Sequence, residues 1–302
     1  MRKIFGIASL ALMLLTGVAC NNEGVPDGPK GKYPILFRCS DDTRAVATVG
    51  SMKEDKNGFD VYAYFEGSTD DAKQSFDKNV KWNGSAWSYT GLEYWIPGAT
   101  YWFKAVYPQG IATVDNDDTT QAVTISNFDI TKQEDILVAE AAGLKATPED
   151  QAPTTGSVVS LQFKHLLANV TIKAKAEIDG VTINSITISN IADYGTYSEQ
   201  EWSSSNKTSI TVEPKLELEK GEKYVDVTNG GILVIPAEAN GVTLSISTSK
   251  KNYDNITIPA INWEIGNKYT YTLEIQQNDI ILNNPNVAKW DSDSATGSVI
   301  IK

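Results

Sequence analysis

Tyr101-Trp102-Phe103-Lys104-Ala105-Val106-Tyr107 sets Tyr101, Phe103, Ala105 and Tyr107 on one side of an extended chain and Trp102, Lys104 and Val106 on the other. Period two in a run this rich in aromatics is the pattern of a half-buried β-strand; a helix would scatter these rings around its circumference. The same alternation governs residues 59–65, where Phe59, Val61, Ala63 and Phe65 oppose Asp60, Tyr62 and Tyr64. It returns at residues 122–126, 136–139, 170–176, 182–189, 232–235, 242–248 and 269–275. Between these runs lie Asn57-Gly58, Asn83-Gly84, Asp179-Gly180, Asn229-Gly230-Gly231 and Asn240-Gly241, which are turn dipeptides of hairpins. No helical periodicity extends beyond the short stretch 70–76. The chain therefore reads as all-β, and about fifteen strands exceed one ordinary sandwich.

Composition narrows the function. The 302 residues carry 26 Lys+Arg against 38 Asp+Glu, a formal net charge of −12 at pH 7. A nucleic-acid partner is excluded on this ground, because phosphates need a basic footprint. One histidine, His165, and two cysteines, Cys20 and Cys39, cannot supply the cysteine and histidine set of a structural zinc site. No Gly-x-Ser-x-Gly, His-Glu-x-x-His or phosphate-binding glycine loop occurs, so no catalytic residue, metal site or cofactor is expected.

The first twenty residues read as an address. Arg2 and Lys3 precede an apolar stretch over residues 4–15, followed by Thr16-Gly17-Val18-Ala19-Cys20 and then polar Asn21-Asn22-Glu23. This is an export signal over 1–19, too short for a confident membrane span. Small residues before a cysteine resemble a bacterial lipoprotein cleavage site, with Cys20 as the lipidated residue; an ordinary secretory signal with an incidental cysteine is the alternative. Losing Arg2 and Lys3 with the signal takes the net charge from −12 to −14. A lipidated Cys20 leaves Cys39 without an intramolecular disulfide partner.

Beyond the anchor, residues 21–32 contain Gly24, Pro26, Gly28 and Pro29 among polar residues and read as a tether. The stretch 146–157 has two prolines and no apolar periodicity, which divides the rest into a first sandwich over 45–145 and a second over 158–302. Val159, Leu161, Phe163 and His165 share one strand face, so His165 is expected as a hydrogen-bonded structural residue. Four of the seven tryptophans lie between Trp82 and Trp102. Trp87, Trp95 and Trp102 fall in strand-like segments, where aromatics fill cores, although a sugar-stacking platform is the rival reading. Asp115-Asn116-Asp117-Asp118 lacks the glycine turn and distal glutamate of a calcium loop and reads as a solvated acidic loop. The only arginines are Arg2, Arg38 and Arg44, so an arginine-limited protease meets the exported chain only at Arg38 and Arg44. A bias toward lysine would produce the same depletion without any protease.

These residues resemble the fimbrillin family, the lipoprotein pilins of type V pili. Ile35-Leu36-Phe37 followed by Thr43-Arg44-Ala45 resembles the family's first strand and arginine maturation site. The stretch 95–108, ending in Tyr107-Pro108, is similar to a first-domain strand. The stretch 163–170 resembles the opening of the second domain, with Asn169 where lysine is commoner. The stretch 263–273 resembles the late strand, and Val287-Ala288-Lys289-Trp290 the C-terminal segment. The resemblance implies two tandem transthyretin-like β-sandwich domains, no catalysis and no cofactor. It further implies an outer-membrane precursor whose residues 20–44 are a lipidated tether and removable first strand, cut between Arg44 and Ala45 by an Arg-specific protease before the rest is built into a cell-surface fimbrium. Its partners would be other pilin subunits in a head-to-tail polymer and a host or bacterial surface ligand.

Tyr33, Ile35 and Phe37, with Cys39, share one face of the strand ahead of Arg44. Freeing that strand would leave an apolar groove and an unpaired edge that invites a donor strand from another subunit. Refilling it with three or four apolar side chains is worth on the order of 5 to 10 kcal/mol as an upper bound. Val287, Trp290, Val299 and Ile301 are the expected donor residues, with the polar stretch 291–297 as hinge. Two other readings stand beside the pilin: a permanently anchored glycan-binding lipoprotein using the Trp-rich N-terminal domain, and, more remotely, a two-carboxylate glycosidase, for which no pair of acids stands out.

Overall fold

The computed structural model describes residues 33–41, 49–54, 58–67, 74–145, 158–204, 206–221 and 223–290. The export signal, Cys20, Arg44, Ala45, the 146–157 linker, Val299 and Ile301 lie outside them. The described chain is nearly all β, in several sheets, and its two tandem cores fit β-sandwich packing.

Seven strands form the first sheet. Its chain-order members are Leu36–Asp41 (β1), Phe59–Glu66 (β2), Ser75–Trp82 (β3), Trp87–Ser88 (β4), Thr100–Tyr107 (β5), Leu137–Lys145 (β8) and Val158–His165 (β9), arranged β1-β9-β8-β5-β2-β3-β4. Pairing of β2 with β5 aligns Val61 with Ala105, Ala63 with Phe103 and Phe65 with Tyr101, all buried. The opposite face carries Tyr62 beside Lys104 and Tyr64 beside Trp102. The alternation holds until the end of β5, where Val106 is buried and Tyr107 half-buried. A short helix, Val49–Glu54 (α1), contributes the fully buried Met52 to this core. The short helical pattern read at 70–76 ends instead in strand β3, whose Phe76 pairs with Ala63.

Two strands, Thr113–Val114 (β6) and Val123–Asp129 (β7), leave the first sheet and pair with Tyr194–Ser198 (β12) and Glu201–Ser204 (β13), in the order β13-β12-β7-β6. Ile125, Phe128, Ile130 and Ile136 accordingly pack into the second core with residues from 166–290.

The remaining strands make two sheets over that core. One takes Ala168–Ala176 (β10), Val225–Asp226 (β16), Ile232–Val234 (β17), Asn267–Ile275 (β20), Ile280–Leu282 (β21) and Asn286–Lys289 (β22). Its centre is a parallel pairing of β10 with β20. The other takes Val181–Ala192 (β11), Lys207–Val212 (β14), Leu216–Leu218 (β15), Thr243–Thr248 (β18) and Asn252–Thr257 (β19), antiparallel throughout. In β20, Tyr269, Tyr271, Leu273 and Ile275 are buried in strict alternation, the sequence pattern carried into packing.

Strand β9 departs from the division drawn at 146–157. It pairs with β8 and β1, and its Val159, Leu161 and Phe163 belong to the first core, so the first sheet extends to His165. Alternation is a local property and is the same for either sheet; the partners are set by tertiary pairing, with β8 on one side and the distant β1 on the other.

Candidate assembly site

The first strand is built into the structure on both sides. Along one edge β1 runs parallel to β9, from Leu36 opposite Val158 to Asp41 opposite Phe163. At its start it turns to residues 93–95: Pro34 bridges Tyr94, Ile35 N donates to Glu93 O at 2.9 Å, and Trp95 N donates to Tyr33 O at 2.9 Å. Residues 33–41 therefore close the gap between the two ends of the first unit's strand array. Ile35 and Phe37 are buried while Arg38 and Ser40 are exposed, as the expected face requires. Phe37 lies 5.6 Å from the Tyr89 ring and 5.9 Å from Phe103. On the outer face Arg38 Nη2 donates to Ser160 Oγ at 2.9 Å, an exposed bond of small worth.

Tyr89 was invisible to pattern reading and is the clamp of this site. Its hydroxyl donates to Ile35 O at 2.7 Å and accepts from Glu93 N at 3.3 Å, and Glu93 O accepts from Ile35 N. The phenol thus links the backbones of the first strand and residues 89–93. Burial pushes its pKa up to about 12, so it remains a donor at any physiological pH. Burial likewise pushes the Cys39 thiol up to about 12, against the opposing Lys53 charge. A thiol so protonated is a poor nucleophile. The signal for Tyr89 lies only in its type: a tyrosine near a turn, whose target is 54 residues earlier in the chain.

Two of the expected donor residues sit in the chain's own second unit. Val287 pairs with Tyr269 through the antiparallel β20–β22 ladder. Trp290 N donates to Gly266 O at 2.8 Å, and its buried indole stacks on His165 with centroids 3.8 Å apart and planes 11° from parallel. His165 Nδ1 is 2.8 Å from Asp135 Oδ2, and Asp135 Oδ1 accepts from Ile136 N at 2.9 Å. The histidine is buried and hydrogen-bonded, joining the end of β9 to Asp135 and to the C-terminal segment.

Trp87 and Trp95 are 6% exposed and pack edge-on against Phe59 and Tyr101 respectively, which removes them from any open platform. Trp82 is half-buried under Lys53, whose Nζ lies 4.5 Å from its ring, and Trp102 lies half-buried beside Tyr64. In the acidic loop Asp118 Oδ1 accepts from Thr120 N at 2.6 Å, a turn-capping bond. Like charge from Asp117 raises the Asp115 pKa. Among the described residues no group of three His, Cys, Asp or Glu could hold a metal ion. A groove of about 1070 Å³, of mixed polar and apolar lining, runs between the outer face of the first sheet and the turn at Glu199 and Gln200. There Lys104 bonds Glu140 at 2.9 Å and holds its carboxyl below the usual range.

The fimbrillin-like family model matches residues 43–290 of the chain. A fimbrial protein of Bacteroides vulgatus has a similar fold, with a TM-score of 0.55 at 15% identity, over 85% of this chain and 99% of its own. A candidate cell adhesion protein of Bacteroides ovatus gives 0.54 at 14% identity, over 85% of this chain and 96% of its own. One of Bacteroides uniformis gives 0.50 at 18% identity, over 86% and 98%. At such identities the likeness is one of fold. No curated protein matches the chain.

Proposed function

Because the chain belongs to the fimbrillin-like family, we propose that it is a structural pilin or pilus-associated adhesin subunit of a cell-surface fimbrium. In this reading it is exported as a lipoprotein through Cys20 and anchored in the outer membrane. An Arg-specific protease cuts it between Arg44 and Ala45, and the subunits polymerise head to tail by donor-strand exchange. The observation that carries the reading is the position of residues 33–41 just ahead of Arg44. They form a strand laddered to β9 along one edge and tied at its start to residues 93–95, and its loss would open an apolar slot beside Phe103, Leu161 and Phe163. The β9 edge so unpaired is a template for an added strand. A head-to-tail contact does not close on itself and generates a filament.

The donor is proposed to be the C-terminal segment. Since Val287 and Trp290 hold to their own β20 and His165, the transferable portion starts beyond Trp290, with Val299 and Ile301 as the apolar pair for the slot. The glycan-platform reading loses two of its tryptophans, Trp87 and Trp95, to the core. Electron microscopy of cells with and without this protein, joined to N-terminal sequencing of the surface form, tests the assignment. Filaments that depend on it and a mature sequence starting Ala45-Val46-Ala47-Thr48 are expected. Unchanged filaments and a mature chain starting at Cys20 would refute it.

A further inference from the structure

We propose that the groove between the outer face of the first sheet and the β12–β13 turn binds a short oligosaccharide that carries a carboxylate. At about 1070 Å³ it stands at the upper end of small-ligand sites, with room for a few sugar rings. The inference goes beyond the assembly reading, which concerns the edge of β9 and not this face, and neither requires the other.

The first support is Tyr197. It is 8% exposed, with its ring 5.4 Å from Trp202, yet its hydroxyl has no hydrogen-bond partner among the described residues. No fully buried side-chain oxygen or nitrogen among those residues lacks a partner, so this hydroxyl opens into the groove that Tyr197 lines. Burial and the charge of Glu140, which also lines the groove, raise the phenol's pKa and keep it a donor. A ligand oxygen would therefore gain a hydrogen bond there without displacing one of the fold's own.

Backbone strain collects at the same groove. Among the described residues, those with positive φ that are neither glycine nor asparagine are Gln121, Gln133, Glu199, Gln200 and Lys215. Three of them line the groove: Gln121 at φ 46°, Glu199 at 51° and Gln200 at 66°. Glu199 and Gln200 are the two turn residues between the paired Ser198 and Glu201, a turn that is cheapest as Asn-Gly. Strain of this kind gathers at ligand clamps, and here it sets a carboxylate and an amide on the groove wall. Gln121 is fixed by its Nε2, which donates to Tyr62 O at 3.0 Å and Asn116 Oδ1 at 2.8 Å.

The chemistry of the lining selects the ligand. β5, β8 and β9 in the floor and β12 in the wall each have a sheet neighbour on both sides, so an extended peptide finds no edge to join. Side chains alone are on offer. The amides of Gln121, Gln162 and Gln200 and the carboxylates of Glu140 and Glu199 suit sugar hydroxyls, while Val123, Val138 and Ile265 suit the C–H faces of the rings. Lys104 is tied to Glu140 at 2.9 Å, which leaves Lys164 and Lys289 against Glu199. The groove is thus positive on a chain of net charge −12. Salt screens the more distant acids beyond about 8 Å, so the nearby lysines favour a carboxylate.

The test titrates the full chain in detergent by calorimetry. Sialyllactose and trigalacturonic acid are the acidic probes, lactose is the neutral counterpart of the first, and a glutamate hexapeptide supplies negative charge without sugar rings. At least one acidic saccharide should bind with a Kd of about 1 mM or tighter, and lactose and the hexapeptide at least about fivefold more weakly. Tyr197→Phe keeps the ring against Trp202 and removes a hydroxyl the fold does not use, so the melting temperature should hold while affinity falls about fivefold. Lys164→Gln, at an exposed position, should weaken the acidic saccharide about threefold and leave lactose unchanged. Failure of both acidic saccharides to bind, equal binding of lactose, preference for the hexapeptide, or an affinity that neither substitution alters overturns the proposal. The readout is a monomer and its ligand, so its failure leaves the assembly reading standing, and missing filaments in cells leave this site standing.

Discussion

If the first strand is removed at maturation as proposed, Phe37→Ala separates a strand needed only before that step from a core needed throughout. Phe37 is 5% exposed, and its ring meets Tyr89 and Phe103 at 5.6 and 5.9 Å between centroids. Truncating a buried phenylalanine to alanine costs about 3–5 kcal/mol, the transfer term plus the cavity left behind. The Tyr89 and Phe103 rings and the β9 ladder hold the walls around Phe37 and limit collapse, so the upper half of that range applies. In the uncut protein this multiplies the population with an undocked first strand by roughly three orders of magnitude. Arg38→Ala, one residue along, removes an exposed hydrogen bond to Ser160 and should cost about 0.5 kcal/mol or less. Urea denaturation followed by tryptophan fluorescence would measure both in the precursor. On the proposed maturation residue 37 is absent from processed filaments, so there the two variants should melt like the wild type. Phe163→Ala, in the strand that remains, should weaken both forms. A precursor whose stability changes by less than 1 kcal/mol on Phe37→Ala would refute the reasoning, as would a processed form that still feels the substitution.

Three further outcomes are expected. Gly231→Ala should lower stability by about 3 kcal/mol or more in a thermal melt, because φ there is +123° and an added Cβ would sit inside the buried Asn169 amide. The Asn169 side chain bonds Thr171 Oγ1 at 2.9 Å and Gly230 O at 3.2 Å, and it has no room to retreat. In alkali, burial pushes Tyr89, Tyr101 and Tyr271 up to about 12, so their phenols stay neutral in the folded state after the unfolded ones have ionised near 10. Their contribution to stability is therefore complete below pH 10 and is lost as pH rises to about 12. Absorbance titration of the 13 tyrosines should show a late-titrating group that merges with the rest in urea. Metabolic labelling with a fatty acid should mark the wild type and miss Cys20→Ala; equal labelling of both removes the lipid anchor from the account.

Much of the architecture could be read locally. The faces of residues 59–65, 101–107 and 159–165 follow from the pleat, which turns every second side chain the same way whatever lies opposite. His165 was aimed inward by that rule alone, and the glycine turns marked where strands reverse. Gly58, for example, holds φ +73° with the Val80 carbonyl where a Cβ would be. Trp87 and Trp95 followed their segments into the core.

Side-chain chemistry and period two thus determined that the chain is a series of half-buried strands, which residues face inward, and where an arginine protease could act. Tertiary structure alone decided which strands meet. The alternation of β9 is compatible with either unit, and only its pairing with β8 and β1 places it in the first. The Tyr89 clamp depends on a contact across 54 residues, and the stack of Trp290 on His165 on one across more than a hundred. A strand's own residues set its face because stereochemistry acts between neighbours. Its partner is set by shape and hydrogen bonding summed over the whole sheet, information that no local window of sequence contains.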